Sequence, residues 1–427
     1  MHFYKILKHT IGWKLINTVL LFLNNLLMVR LLGVTASGSF FYDITALSFI
    51  VLITSWCLES GITYYTSKDN STIASLLFFI LPLLLIQGVV SWVIVKYFNF
   101  SINSYLAVLF IISNLAIIYF SAFFYAKKWF VPLNIIFCTI NFVTTLALFY
   151  CWIVNALPTE NYTAVISIFI AGAAIQAFLL VMIILFSTKK SITSFRIVQP
   201  VIKNIFTYSS IAFISNLVSF LVLKIDYFFV QKYCSNIALS NYIQVSKFGQ
   251  LLIIIPSIIG SIVFPLSAGN SDFMSTSKVQ QLCRSITFIF IPVTVIIILT
   301  ANWVFLWMFG EGFNYMYVAT LLYMPGFFSL SIVTILAAHL AGKNLLGPNL
   351  IACILALIVV IIGDLWLVPI FGINAAAAVS SVAYITYVIY LLLIYKKIFN
   401  CKIADFFSFR KMEIANGFRQ LKKIIIP

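Results

Sequence analysis

An all-α integral membrane protein, with twelve transmembrane helices in two pseudo-symmetric six-helix bundles, is the architecture this sequence predicts, on three observations. Hydrophobic residues make up 63% of the 427-residue chain and charged residues only 8%, so a soluble fold would lack the polar residues to clothe its surface. The apolar stretches run on for about 20 residues, the length that crosses a bilayer as a helix, without the alternation of a transmembrane barrel strand. A long polar connection, 188–204, divides the stretches into six and six. An even number per half gives both halves one orientation, related by an axis along the membrane normal.

The spans fall at 12–32, 40–66, 74–96, 104–126, 131–154, 162–187, 205–230, 239–266, 282–306, 317–340, 348–369 and 374–395. The domain reading is therefore a first bundle over 1–187, a cytoplasmic linker over 188–204, a second bundle over 205–395 and a tail over 396–427. Span one opens behind Lys5, Lys8 and Lys14. With no small-residue cleavage site near it, it reads as a membrane span and not a cleaved signal peptide. Lys68, then Lys127 and Lys128, follow spans two and four. Lys189, Lys190, Arg196 and Lys203 fill the linker, Lys278 precedes span nine and Arg284 stands at its start, and Lys343 follows span ten. These loops share one side of the membrane, whereas Arg30, Lys96 and Lys232 stand at the opposite ends. The net charge of +16 thus sets topology, with both termini cytoplasmic, and does not point to nucleic acid. Trp92, Trp152, Trp303, Trp307 and Trp366 near outer ends, and Trp13 and Trp129 near inner ones, fit the aromatic belts. The tail from Lys396 mixes basic residues with Phe399, Phe406, Phe407, Phe409 and Phe418, the pattern of an interfacial amphipathic helix.

A faint internal repeat supports the duplication. NTVLLFLNNLLMVRLL from Asn17 and NLVSFLVLKIDYFFVQ from Asn216 open the two halves, and in this register Asn25 matches Lys224. The seven cysteines and three histidines form no metal-ligand spacing, so no metal or cofactor is expected.

Ionisable groups inside spans cost about 2.5–3.5 kcal/mol at the midplane on insertion scales, so they face a cavity or a partner. In VLKIDYFFV, Lys224 and Asp226 lie near the outer end of span seven. Residues two apart point to nearly opposite sides of a helix, so at least one of them faces inward. Lys247 lies deeper, about 12 Å into span eight. Ser240, Gln244 and Lys247 form a polar stripe there, expected to line a wet lumen, with interhelical hydrogen bonding as the structural alternative. Span one carries Asn17, Asn24, Asn25 and Arg30; Glu59, Asp43 and Asp364 lie near span ends. The strongest internal charges, Arg30, Lys224 and Lys247, suit an anionic headgroup, because phosphate oxygens accept charge-assisted hydrogen bonds.

Several motifs resemble those of the polysaccharide exporters of the MOP (MATE-like) superfamily. Arg30-Leu-Leu-Gly33 with Gly38 is similar to their first-loop motif, and Ile225-Asp226-Tyr227 with Tyr242 to their span-seven to span-eight region. Pro292, FGEGF at Phe309–Phe313, AGKNLLG at Ala341–Gly347 and LVPIFGINAAAAVSS at Leu367–Ser381 continue the likeness over nearly the whole chain. Resemblance to Wzx-type O-antigen flippases implies a V-shaped pair of bundles with alternating access. It implies a non-enzymatic flippase in the bacterial inner membrane. The cargo would be an oligosaccharide repeat unit linked to undecaprenyl diphosphate, moved from the cytoplasmic to the periplasmic leaflet for O-antigen or capsule synthesis. Arg30, Lys224 and Lys247, with Gln244 and Asn25, would bind this cargo; Asp226 and Glu59 are the candidates for coupling to a proton or sodium ion. Membrane lipids, a polymerase and other polysaccharide-assembly proteins are the implied partners.

Two rivals remain. A multidrug or cation antiporter of the same superfamily would favour deep carboxylates and aromatics over lysines. A membrane O-antigen polymerase would need a large outer loop, whereas loops such as Asn155–Asn161 are short.

Overall fold

The computed structural model describes residues 2–68, 72–98, 100–154, 162–188, 199–268 and 275–408. Outside them lie most of the linker with Lys189, Lys190 and Arg196, the outer loop 155–161, and the tail from Phe409 with its basic residues. The side chains of Lys5, Lys8 and Lys68 are likewise outside the description.

Among the described residues the secondary structure is entirely helical: α1 (His2–Ser55), α2 (Leu58–Lys68), α3 (Thr72–Tyr97), α4 (Ser104–Ala126), α5 (Phe130–Ile153), α6 (Tyr162–Thr188), α7 (Gln199–Tyr233), α8 (Asn236–Leu252), α9 (Ile254–Ala268), α10 (Thr276–Phe309), α11 (Met316–Gly342) and α12 (Leu346–Phe399), with two short 3₁₀ turns. Nine helices are long and apolar enough to cross a membrane. Two of them, α1 and α12, have 54 residues each. At about 1.5 Å per residue each is over twice the thickness of a hydrocarbon core. Each breaks at a glycine in the left-handed half of φ, Gly33 (φ 72°) and Gly372 (φ 61°), which a side chain would strain. The pair α8–α9 is bent by 47° and serves as one crossing. Counting each half of α1 and α12, and the bent pair once, recovers the twelve expected spans.

The chain divides into two compact units, Met1–Phe220 and Leu221–Pro427, and the division falls inside α7. In each unit one helix is most enclosed by its neighbours: α4 in the first and α11 in the second. These are spans four and ten, equivalent positions under a six-span duplication. Both are apolar all round, as a helix packed on every side requires.

In the first unit, span two is interrupted at Trp56 and Cys57, both with φ of 50°. A break in lipid frees carbonyls that water cannot reach. Here the Gln87 amide donates to Thr54 O (2.7 Å) and Tyr119 Oη donates to Ser55 O (3.3 Å). The first part of α7 seats against this break: Phe213 stacks on Trp56 at 4.4 Å and Tyr208 on Tyr64 at 4.9 Å. At the other end of the unit, Asp43 is buried and accepts from Ser101 N, Ser101 Oγ and Ile102 N at 2.8, 2.5 and 3.1 Å. This carboxylate is a structural staple for the α3–α4 connection.

In the second unit, α11 is opened at Pro325, which lacks the N–H its helix needs. Ser381 of α12 repairs the gap: its hydroxyl donates to Leu322 O (2.6 Å) and accepts from Gly326 N (3.2 Å). After α12 the chain folds back as a strap. Phe406 is fully buried against Tyr395, Phe407 meets Phe328, and Arg284 of α10 donates to the Asp405 carbonyl.

Candidate functional site

The second unit gathers its chemistry around Asp226. An apolar helix brings one carboxylate inside, and a buried charge survives only with partners. Asp226 has three: Tyr242 Oη donates at 2.5 Å, Tyr227 N at 2.9 Å and Ser380 Oγ at 3.3 Å. They come from α7, α8 and α12. Around them four buried tyrosines interlock: the Tyr227 ring meets Tyr242 edge-on at 5.9 Å, and Tyr323 stacks on both Tyr242 and Tyr384, its hydroxyl 3.3 Å from that of Tyr384. A second carboxylate, Asp364 of α12, is also buried, and neither of its oxygens has a hydrogen-bond partner among the described residues. It lies within electrostatic reach of Asp226. Two carboxylates in a low-dielectric interior repel strongly when both are charged.

The cations come from α7 and α8. Lys224 is half-buried, donates to Tyr227 Oη at 2.9 Å and caps that ring at 4.5 Å. Lys247 of α8 is half-buried and within electrostatic reach of Lys224. Tyr227 therefore links Lys224 to the carboxylate cluster, its hydroxyl accepting from Lys224 and its N–H donating to Asp226. Of Lys224 and Asp226, it is Asp226 that faces inward, with no exposed surface.

The polar stripe of span eight needs correction. Ser240 and Gln244 have no exposed surface and cannot line water in this state; neighbouring Asn241 is equally enclosed, its amide donating to Gly312 O at 3.0 Å. It is the opposite face of α8, with Tyr242 and Gly249, that packs tightly on α11. Gly249 lets the Phe327 ring lie directly on the α8 backbone, where even a Cβ would not fit. Lys247, on the same face as Ser240 and Gln244, keeps partial exposure.

In the first unit, Arg30 is half-buried three residues before the Gly33 break, and Asn25 is buried on the same helix. Asn17 and Asn24 act as interhelical glue. Asn141 of α5 donates to Asn17 Oδ1 at 2.7 Å, and Thr145 donates to Asn24 Oδ1 at 2.7 Å. Glu59 is half-buried just past the break in span two, with Oε2 buried and lacking a hydrogen-bond partner among the described residues. Sequence reasoning missed Ser380, Tyr323 and Tyr384 as partners of the site. It noted Asp364 without pairing it with Asp226. The serine pair in the small-residue run before span twelve was the available signal.

The profile of a family described as "Polysaccharide biosynthesis protein" matches residues 27–318. The chain belongs to that family. No curated protein matches it by sequence. Among solved structures it is similar to the lipid II flippase MurJ in an inward closed conformation, with a TM-score of 0.69 and 16% identity, covering 92% of this chain and 88% of that one. It is also similar to an inward-facing multidrug resistance MATE transporter of the MOP superfamily, with a TM-score of 0.67, 11% identity and 90% and 95% coverage. A third likeness is to a MOP superfamily transporter from Pyrococcus furiosus, with a TM-score of 0.60, 11% identity and 94% and 96% coverage. At these identities the likeness establishes a shared fold, that of the MOP superfamily. This family member is thus a multi-pass membrane protein of MOP fold.

Proposed function

We propose that the chain is a flippase that moves undecaprenyl-diphosphate-linked oligosaccharide repeat units from the cytoplasmic to the periplasmic leaflet of the bacterial inner membrane, for O-antigen or capsule synthesis. It does so by alternating access between two six-helix bundles, without covalent chemistry, and hands its cargo to a polymerase and other assembly proteins. The observation that carries this reading is the lysine pair Lys224–Lys247, half-buried and within electrostatic reach of each other. Asp226 is within electrostatic reach of Lys224 and offsets part of the lysines' repulsion, and a diphosphate offers both lysines further charge and acceptor oxygens. Arg30 is the cation of the first unit assigned to the same cargo. Asn25 and Gln244, both buried, support these residues from behind instead of touching cargo.

Coupling to a proton or sodium ion is assigned to Asp226 with Asp364, and to Glu59 in the first unit. The unpartnered oxygens of Asp364 and Glu59 fit a bound cation, which would neutralise the carboxylates and so change the cost of burying them. One charge crossing 100 mV is worth about 2.3 kcal/mol, enough to bias a transport cycle. An antiporter of organic cations is the second reading, favoured by the buried acids and tyrosines and opposed by the lysines.

The deciding experiment is flipping of a fluorescent undecaprenyl-diphosphate glycolipid in proteoliposomes. Lys247→Ala and Lys224→Ala should each slow flipping by about tenfold or more, the worth of a charge-assisted hydrogen bond, with Lys→Arg largely retained. Full flipping by Lys247→Ala at normal protein level would overturn the assignment, and efflux of a cationic dye without glycolipid flipping would favour the antiporter.

A further inference from the structure

On the flank of α11 away from α8, a groove of ≈ 430 Å³ runs between α10 and α11, lined by Phe290, Thr294, Val295, Leu321, Pro325 and Phe328 among others. This is within the range of small-molecule pockets. Adjacent residues on α11 separate it from the lysine pair: Phe327 faces Gly249 of α8, whereas Phe328 faces Phe290 and Phe407. The groove exists because α11 is bent at Pro325, with Ser381 stapling the open turn.

Its walls offer nothing to a polar ligand. The hydroxyls of Thr287 and Thr294 are spent on their own helix, donating to Cys283 O at 3.0 Å and Phe290 O at 2.8 Å. Around the groove Ile291, Val295 and Leu322 stay exposed at 52%, 49% and 38%, on helices apolar enough to cross a membrane. One end is closed by the strap, where Phe407 rests on Phe328 and Arg284, three residues before Thr287, donates to the Asp405 carbonyl. The strap carries Lys402 exposed at that same end.

We propose that this groove holds one acyl chain of an anionic phospholipid whose phosphate rests at the strap, near Lys402. An apolar slot inside the bilayer takes hydrocarbon, at about 0.8 kcal/mol per methylene buried, and its basic end selects an anionic head. The occupant is a resident lipid distinct from the cargo, because the groove and the lysine pair lie on different sides of α11. The strap's buried Phe406 then has a purpose beyond packing: it fixes the platform on which the headgroup sits.

The test is photolabelling in nanodiscs with phosphatidylglycerol or phosphatidylcholine carrying a diazirine on one acyl chain, mapped by mass spectrometry; transport is not required. Label should concentrate on α10 and α11 at the groove. Val295→Trp, which fills it, should lower that label about fivefold, while Leu299→Trp, at an exposed site elsewhere on α10, should not. Phosphatidylglycerol should label about fivefold better than phosphatidylcholine, and Lys402→Gln should remove the preference. Label spread evenly over exposed helix faces and unchanged by Val295→Trp would reduce the groove to ordinary lipid contact and overturn the proposal. Displacement of the phosphatidylglycerol label by undecaprenyl phosphate at low molar ratio would also overturn it, assigning the slot to the carrier's chain.

Discussion

Replacing Gly249 with alanine tests the contact that places α8, and with it Tyr242 and Lys247, against α11. A Cβ at this position would stand 1.9, 2.0 and 2.5 Å from the Cζ, Cε1 and Cε2 atoms of Phe327. Carbon–carbon contact needs about 3.5–4.0 Å, so the shortfall is about 1.5–2 Å. The ring has little room to turn, being 2% exposed and 4.2 Å from the Tyr323 ring. If α8 retreats by the shortfall instead, the 2.5 Å bond from Tyr242 to Asp226 opens beyond hydrogen-bond reach. Overpacking costs about 1–3 kcal/mol, and a lost bond to a charged group about 1.5–3 kcal/mol more. Together these should lower the melting temperature of the detergent-purified protein by about 5 °C or more, followed by intrinsic fluorescence. Shrinking the ring relieves the clash, so Gly249→Ala with Phe327→Leu should be more stable than the sum of the single changes by about 1 kcal/mol. A melting temperature for Gly249→Ala within a degree or so of the parent, or strict additivity with Phe327→Leu, would refute this account of the α8–α11 contact.

Tyr242→Phe removes the shortest bond to Asp226 and should cost about 1–3 kcal/mol of stability. In an Asp226→Asn background the same change should cost much less, which a double-mutant cycle of melting temperatures reads directly. Asp43→Ala strands Ser101 N, Ser101 Oγ and Ile102 N; with two backbone donors left unmet, about 2–4 kcal/mol is lost, and limited proteolysis should find new cleavage between residues 98 and 104. Beyond the last span, burial pushes the Cys401 thiol up from its ordinary range, with a smaller contribution from Asp405. Less thiolate is then present near neutrality, so maleimide labelling should be slow and should rise with pH. Phe406→Ala, which undocks the strap, should speed that labelling about tenfold or more, since losing a buried phenylalanine costs about 3–5 kcal/mol; an unchanged rate would mean the strap does not shield the thiol.

The fold was legible because the bilayer acts on each segment separately. Hydrocarbon thickness fixes span length and the cost of stranded carbonyls enforces helix, so a local run of apolar residues is enough to place a crossing. The breaks at Gly33 and Gly372 were likewise marked by residue type. The interruption at Trp56–Cys57 was not, because its cost is met by Gln87 and Tyr119 from other helices. The site divides along the same line. Lys224, Asp226 and Lys247 stood out because ionisable groups are rare in apolar helices. Gln244 misled, being enclosed, because helical periodicity shows which residues share a face but not what that face meets.

By itself the sequence determined an all-helical membrane protein of twelve crossings, with lysines and a carboxylate placed against their solvation cost. Only the tertiary structure decided that Asp226 is held by Tyr242 and Ser380, the latter 154 residues away. It also brought Asp364 within electrostatic reach of that carboxylate, its oxygens without a hydrogen-bond partner among the described residues. Hydropathy acts on each helix alone, whereas which faces meet depends on side chains fitting across helices, and that fit is written nowhere along the chain.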